Sequence, residues 1–210
     1  MDKQRETELA AALLRGEPGA FDRFVEYFRA KVFGYSYLMC GQREDAEEVA
    51  QETLLKAFEN FDQLHNPEHV RAWIFRVAKN ACLMKRRKSV FAPEREISLE
   101  ELMPASRQDG AGRRIEIADW SRLPDQEVLN SELRDALDRA IQELPESYRS
   151  VVILRDLEEL STEETANILE LSTDVVKTRL HRGRMAIRQK LDSYLSATQK
   201  NTAPLAARES

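Results

Sequence analysis

Thr173, Lys177, Thr178, His181, Arg182 and Arg184 form the polar side of a segment spanning residues 160–190, whose other side carries Val176, Leu180, Gly183, Ile187 and Leu191. Those apolar spacings of four, three, four and four describe one face of a helix. The chemistry on the polar side is binding chemistry. Ammonium, guanidinium and hydroxyl groups donate hydrogen bonds to phosphate oxygens and to base edges in a major groove. Between Val175 and Lys190 the segment holds six Lys or Arg and no acid. A helical hairpin with a solvated basic face is the plainer reading, and it is the agreement of charge, caps and turn that favours DNA.

Two further sets stand upstream. Arg76, Lys79 and Asn80, with the run Lys85, Arg86, Arg87 and Lys88, make a second cationic face. Lysine and arginine displace phosphate counterions and asparagine pairs with a base edge, so this face suits backbone and unpaired bases. The third set has the opposite sign: Glu44, Glu47, Glu48, Gln51, Glu52 and Glu59 share one helical side. Such a side is either a solvated surface or a docking face for a basic partner. His65 and His69 are four apart, yet the intervening Pro67 and the lack of neighbouring Cys or Asp pairs argue against a metal site.

The elements that must position these groups are helices. Ser161 and Glu164 have the S-x-x-E spacing of a capping box, which starts a short helix carrying Ala166 and Leu169 inward. Ser172 or Thr173 offers the next N-cap, and the longer basic helix follows. Upstream, residues 7–14 predict a short helix ended by Gly16 and Pro18, and residues 20–39 an aromatic-rich helix with Phe21, Phe24, Val25, Phe28, Val32 and Tyr35 inward. Residues 44–61 predict a helix with Ala46, Val49, Ala50, Thr53, Leu54, Ala57, Phe58 and Phe61 on its inner face. Residues 71–88 predict another, packed through Val70, Trp73, Ile74, Val77, Ala78 and Ala81. Residues 133–144 and 145–154 give two more.

Composition agrees with an all-α fold: Gly and Pro number seven each in 210 residues. The formal net charge of −5 is unexpected for a DNA binder, so charge must be segregated. It is: residues 43–68 hold eight acids against two bases, and residues 69–93 hold seven bases and no acid. Cys40 and Cys82 are far apart in sequence, which suggests buried free thiols and a reducing cytoplasm. No apolar run is long enough for a membrane span, and the charged first residues lack a signal-peptide core. Residues 89–130 carry scattered Pro and Gly with little periodicity and read as a linker. The expected layout is therefore a helical domain over 1–88, the linker, a four-helix domain over 131–195 ending in the helix-turn-helix, and a disordered tail over 196–210.

The strings DAEEVAQETLLKAF at 45–58 and RAWIFRVAKNACLMKRR at 71–87 resemble the sigma-two domain of bacterial sigma-70-type initiation factors. The string ELPESYRSVVILRDLEELSTEETANILELSTDVVKTRLHRGR at 143–184 resembles their sigma-four domain. With no sigma-three domain between, the chain resembles the extracytoplasmic function group. The resemblance implies two small helical domains and a non-enzymatic subunit that guides core RNA polymerase to promoter DNA without a cofactor or metal. It implies polymerase docking through Asp45, Glu48, Gln51 and Glu52. It implies capture and melting of the −10 element by His65, Asn66, Arg71, Arg76, Lys79, Asn80, Lys85, Arg86 and Arg87. It implies duplex reading at −35 by Ser172, Thr173, Lys177, Arg179, Arg182 and Arg184. An inhibitory anti-sigma partner is common in the family. Met84 stands where many members have an acid, and the linker is longer than usual in the group.

Two rivals bracket this reading. A conventional helix-turn-helix regulator explains 161–190 but leaves the acidic helix and the KRRK run as coincidences. A DNA recombinase needs a nucleophile with clustered basic activators, and the N-terminal serines are few: Ser36 falls in the aromatic helix and Ser89 at the linker edge.

Overall fold

A computed structural model of the chain describes residues 2–88 and 126–201, leaving aside the side chains of residues 2, 86–88, 126–131, 193 and 196–201. Everything regular in it is helical. The N-terminal half comprises α1 (Asp2–Leu14), α2 (Ala20–Cys40), α3 (Arg43–Glu59) and α4 (Val70–Lys88), with 3₁₀ turns at Phe61–Gln63 and Pro67–His69. The C-terminal half comprises α5 (Gln126–Gln142), α6 (Glu146–Val152), a π-helical turn (Ile153–Leu157), α7 (Thr162–Leu169) and α8 (Thr173–Asn201).

The aromatic periodicity of α2 decides the first bundle. Phe24, Phe28, Val32 and Tyr35 fall on one stripe and are fully buried, and Phe24 meets Phe28 and Phe61 at ring-centroid distances of 4.5 and 5.6 Å. Against that stripe lie Val49, Ala50 and Ala57 of α3 and Ile74, Phe75, Ala78 and Ala81 of α4. Small residues on α3 let the helices approach closely while the aromatics of α2 supply the apolar volume. Gly41, at φ +79°, stops α2 in a left-handed cap whose N–H donates to Tyr37 O at 2.8 Å.

Several boundaries differ from expectation for physical reasons. On α4, Val70, Ile74, Ala78 and Ala81 are buried as expected, but Trp73 and Val77 are only half-buried and Phe75 and Cys82 take their place, so the inner face is turned by about half a position from the predicted one. Phe58 is 59% exposed instead of inward. Helix α5 starts at Gln126, inside the predicted linker, and α8 continues to Asn201, past the predicted end of order at 195. Residues 196–201 contain no Gly or Pro to stop it. Residues 89–125 and 202–210, which carry the rest of the linker and tail, lie outside the described residues. Cys40 and Cys82, distant in sequence, are neighbours in space. Their hydrogen bond and the burial of Cys82 push its thiol up.

The C-terminal half closes around Leu144, Val152, Ile153, Leu154, Leu160, Ile168 and Ile187. That cluster is continuous with the apolar cluster of the N-terminal half, so the two bundles are in contact. After α6 the backbone widens: Glu158 N donates to Ile153 O, five residues back, and Leu160 N to Leu154 O. This π turn bends the chain into α7, where the side chain of Ser161 accepts from Glu164 N at 3.1 Å and Glu164 accepts from Ser161 N at 2.7 Å. The predicted capping box is present.

Candidate nucleic-acid interface

Helix α8 is aimed by its own inner face. Val176 is fully buried, and a β-carbon added at Gly183 would sit 2.7 Å from Val152 Cγ2, so only glycine permits this approach of α8 to α6. The entry to α8 is capped by Ser172, whose hydroxyl accepts from Val175 N at 3.3 Å. The outer face then carries Lys177, Thr178, His181, Arg182 and Arg184, all exposed, with Thr173 and Arg179 half-buried beside them. Thr178 donates to Asp174 O at 2.9 Å, and Lys177 lies 3.6 Å from Asp174. Arg184 is held by Asp156 of the π turn in a two-pronged ion pair, at 2.9 and 2.5 Å. This pairing raises the guanidinium's pKa. A capped helix, a tight turn and a longer helix with a cationic outer face is a helix-turn-helix able to enter a major groove.

On α4, Arg76 and Asn80 are exposed. Lys79 is not free: its amine lies 3.4 Å from Glu170 Oε1, at the C-cap of α7. Lys85 is engaged as well, 3.1 Å from Asp45 Oδ1 and in a short contact with Glu48 Oε2. Those two hydrogen-bonded carboxylates hold the ammonium's pKa up. Arg86 and Arg87 belong to α4 by backbone, and their side chains lie outside the described residues. In the turn before α4, His65 and Asn66 are exposed, and the Asn66 side chain accepts from Glu68 N at 3.0 Å, capping the 3₁₀ turn.

Arg71 has a different environment from that of a DNA-facing arginine. Its guanidinium grips Glu6 through Nε at 2.6 Å and Nη2 at 2.8 Å, and donates Nη1 to Glu158 O at 3.1 Å. Glu6 is 1% exposed and also meets Lys31 at 3.4 Å and the Tyr27 hydroxyl at 3.1 Å. The hydrogen bonds to Glu6 outweigh burial and raise the pKa of Arg71. The Glu158 carboxyl faces the same cluster, and burial, only partly countered by Lys31 and Arg71, pushes its pKa up to about 7.

The acidic face of α3 is largely exposed, with Asp45 and Glu48 holding Lys85 at one edge. Glu44, Glu47, Glu48, Gln51 and Glu59 are exposed, while Asp45 and Glu52 are half-buried, Glu52 pairing with Lys56 at 2.7 Å. Sequence reasoning missed that Leu55, 57% exposed, and Phe58 continue this face. The row Glu48, Gln51, Leu55, Phe58 runs at spacings of three, four and three, so the signal was present once Phe58 is turned outward. Phe58 leans on Phe21, with centroids 4.6 Å apart, which fixes it as a flat apolar end to a charged strip.

Ser36, the serine a recombinase would need, is buried and donates to Val32 O at 2.8 Å. Ser89 lies outside the described residues. Among the described residues no group of three or more His, Cys, Asp or Glu is arranged to hold a metal ion, and no helix is long and apolar enough to cross a membrane.

Comparison with known proteins agrees with this geometry. Residues 24–90 match the model for sigma-70 region 2, and residues 134–187 the model for sigma-70 region 4. The chain is 31% identical over 177 residues to the ECF RNA polymerase sigma factor SigW of Bacillus subtilis, covering 84% of this chain and 91% of that one. It is 26% identical to the RNA polymerase sigma-H factor of Pseudomonas aeruginosa, covering 93% and 98%. Among solved structures, CnrH in complex with the cytosolic domain of CnrY superposes with a TM-score of 0.59 at 20% identity, covering 90% of this chain and 97% of that one. The sigma factor RpoE of Bartonella quintana, in complex with the anti-sigma factor NepR, superposes at 0.58 with 20% identity, covering 83% and 98%. These structural matches establish the shared helical fold. The chain belongs to the ECF group of the sigma-70 family of RNA polymerase sigma factors.

Proposed function

We propose a division of labour among three surfaces of this sigma factor. The strip Asp45, Glu48, Gln51 and Glu52, extended by Leu55 and Phe58, docks on a basic coiled coil of core RNA polymerase. Its charged part steers and its apolar end is desolvated on contact. The turn bearing His65 and Asn66 and the face of α4 bearing Arg76, Lys79, Asn80 and Lys85, with Arg86 and Arg87, hold separated strands of the −10 element. Unstacking a base costs a few kcal/mol, which hydrogen bonds to its edge and phosphate contacts offset. The outer face of α8, with Ser172, Thr173, Lys177, Arg179, Arg182 and Arg184, reads the −35 duplex.

The observation that carries this reading is the segregation of charge onto separate exposed faces: acids on α3 and bases on α8. A phosphate-binding face and a face that repels phosphate serve different partners. The chain itself performs no covalent step in this reading; polymerase does, and both work in the cytoplasm. An inhibitory protein of the anti-sigma class is a further partner in this reading, since the sigma factor RpoE, of the same fold, was solved with the anti-sigma factor NepR, and CnrH, also of that fold, with the cytosolic domain of CnrY. Run-off transcription with purified core polymerase on a genomic fragment library tests the reading. Discrete start sites that require the chain, and that weaken with Glu48→Lys and Glu52→Lys, are expected. Transcription indifferent to these substitutions overturns the docking assignment.

A further inference from the structure

Both cysteines of the chain meet at one point of the first bundle. Cys40 is the last residue of α2, and Cys82 lies in the second half of α4. The two helices run side by side in the same direction: Tyr35 meets Phe75 with ring centroids 5.4 Å apart, and five and seven residues further on Cys40 meets Cys82. The thiols share a hydrogen bond and are not joined in a disulfide. Their exposure differs. Cys82 is 2% exposed whereas Cys40 is half-buried, so solvent reaches one sulfur while the core holds the other. The hydrogen bond and burial keep Cys82 protonated, which makes Cys40 the accepting sulfur and the one placed to react. The Tyr35 hydroxyl, fully buried and without a hydrogen-bond partner, lies near both sulfurs. It is an unused donor beside the pair.

We propose that Cys40 and Cys82 form an oxidation site, at which a hydroperoxide converts the two thiols into an intramolecular disulfide that staples the end of α2 to α4. With hydrogen peroxide, the Cys40 thiolate attacks one peroxide oxygen, the O–O bond breaks, and uptake of one proton gives a sulfenic acid on Cys40 and water. Once Cys40 carries oxygen, the hydrogen bond that held the Cys82 proton is gone. The Cys82 sulfur attacks the sulfenic sulfur, the S–O bond breaks, and the departing hydroxide takes the Cys82 proton and leaves as water. Two electrons pass from the dithiol to one peroxide. The new bond draws the sulfurs to about 2.05 Å, so the backbone must yield slightly. Cys40 stands where it can: the helix ends there, and Gly41 follows in its left-handed cap at φ +79°.

What the staple encloses gives it a use. The covalent loop from residue 40 to residue 82 contains all of α3, with its acidic strip, and the turn bearing His65 and Asn66. Closing that loop removes conformational freedom from the unfolded chain, so oxidation makes this part of the molecule harder to unfold. In a reducing compartment the bridge forms while oxidant is present and is undone by thiols afterwards. The chemistry at the sulfurs is independent of the docking assignment given above; only the identity of the surface that the staple protects rests on it.

The full chain, first reduced and then exposed to hydrogen peroxide, is followed by intact mass, thiol titration and thermal melting. Titratable thiols should fall from two to none, with a mass loss of about 2 Da and no dimer. The melting temperature should rise by about 5 °C or more, and dithiothreitol should reverse all three changes. Cys82→Ala removes the resolving sulfur and should leave Cys40 as a sulfenic acid that dimedone labels. Cys40→Ala should show neither label nor mass loss, because the remaining sulfur is in the core. The unsubstituted chain decides the matter even if a variant folds poorly. Two thiols persisting after peroxide, oxygen added to Cys40 without mass loss, or disulfide-linked dimers in place of an internal bridge overturn the site. A bridged chain that melts no higher than the reduced one overturns the staple. Failure of the docking assignment reads out separately, as reduced chain that directs no run-off transcription.

Discussion

Gly183→Ala separates two effects of opposite sign. In a helix interior alanine is favoured over glycine by about 1 kcal/mol, so propensity alone makes the substitution stabilising. The local geometry reverses this. The new β-carbon would stand 2.7 Å from Val152 Cγ2, and carbon pairs settle at about 3.5–4 Å, so a gap of about 1 Å must open. Val152 is 3% exposed and cannot move away, because a β-branched side chain in a helix has one strongly preferred rotamer. The strain passes to the α6–α8 contact, where overpacking costs about 1–3 kcal/mol. The net is about 1 kcal/mol of destabilisation, or about 3 °C in Tm for a chain of this size. Denaturant unfolding of the wild type, Gly183→Ala, Val152→Ala and the double variant closes a cycle. With the Val152 methyls removed, Gly183→Ala should turn stabilising by up to about 1 kcal/mol, giving a coupling of about 2 kcal/mol. Duplex affinity should fall in the single variant, because α8 is displaced, and recover in the double. A gain in stability of the same size in both backgrounds would refute the close approach and with it the account of how α8 is aimed.

Ser161→Ala removes one half of the capping box and should lower stability by about 1 kcal/mol in thermal melts, with Ser161→Asp retaining most of it. Glu158 predicts a pH dependence: its folded value of about 7 lies above the ordinary value of 4.5, so the folded chain binds the proton more tightly. Its contribution is full below about pH 4.5 and is lost as pH rises through about 7, by at most about 3 kcal/mol. Melting curves of Glu158→Gln should lack that decline, and a parallel decline would assign it to other groups. Asn80→Ala should impair open-complex formation more than initial duplex binding, as followed by permanganate footprinting; equal losses argue against base capture. Lys177→Ala should weaken duplex binding with a shallower salt slope if the amine meets phosphate, and by about 1–3 kcal/mol at one base position if it reads an edge.

What the sequence made legible was whatever is decided within a few residues. The capping box at Ser161 and Glu164, the glycine stop at Gly41 and the inner stripe of α8 depend on neighbours three or four positions away, and each stands where the spacing placed it. The acidic face of α3 was legible for the same reason, but its apolar end was not. Phe58 is hydrophobic enough to be counted inward, and only its ring contact with Phe21 shows why it stays outside. Phe75 failed in the reverse sense, because Trp73 and Phe75 flank Ile74 on either side of the inner stripe of α4, and a small turn of the helix decides which of them is the more buried. The largest gap concerns Arg71. Its partner Glu6 lies on another helix and its third acceptor, the Glu158 carbonyl, in the other half of the chain. No local pattern encodes a bond across that separation, so an arginine engaged in the interior reads the same as one waiting for DNA.

Glu6 also bears on where this protein can be cut. The match to sigma-70 region 2 begins at residue 24, and a domain boundary drawn there looks safe because α1 carries none of the binding faces. Yet α1 supplies Glu6, a carboxylate that meets Arg71, Lys31 and Tyr27 together. A version started downstream of α1 removes that carboxylate together with the wall α1 makes over the pocket, and leaves the Glu158 carboxyl alone to face the guanidinium and the ammonium. Tags belong ahead of the first helix, and shortened versions for crystallisation or polymerase reconstitution need residues 2–14 kept.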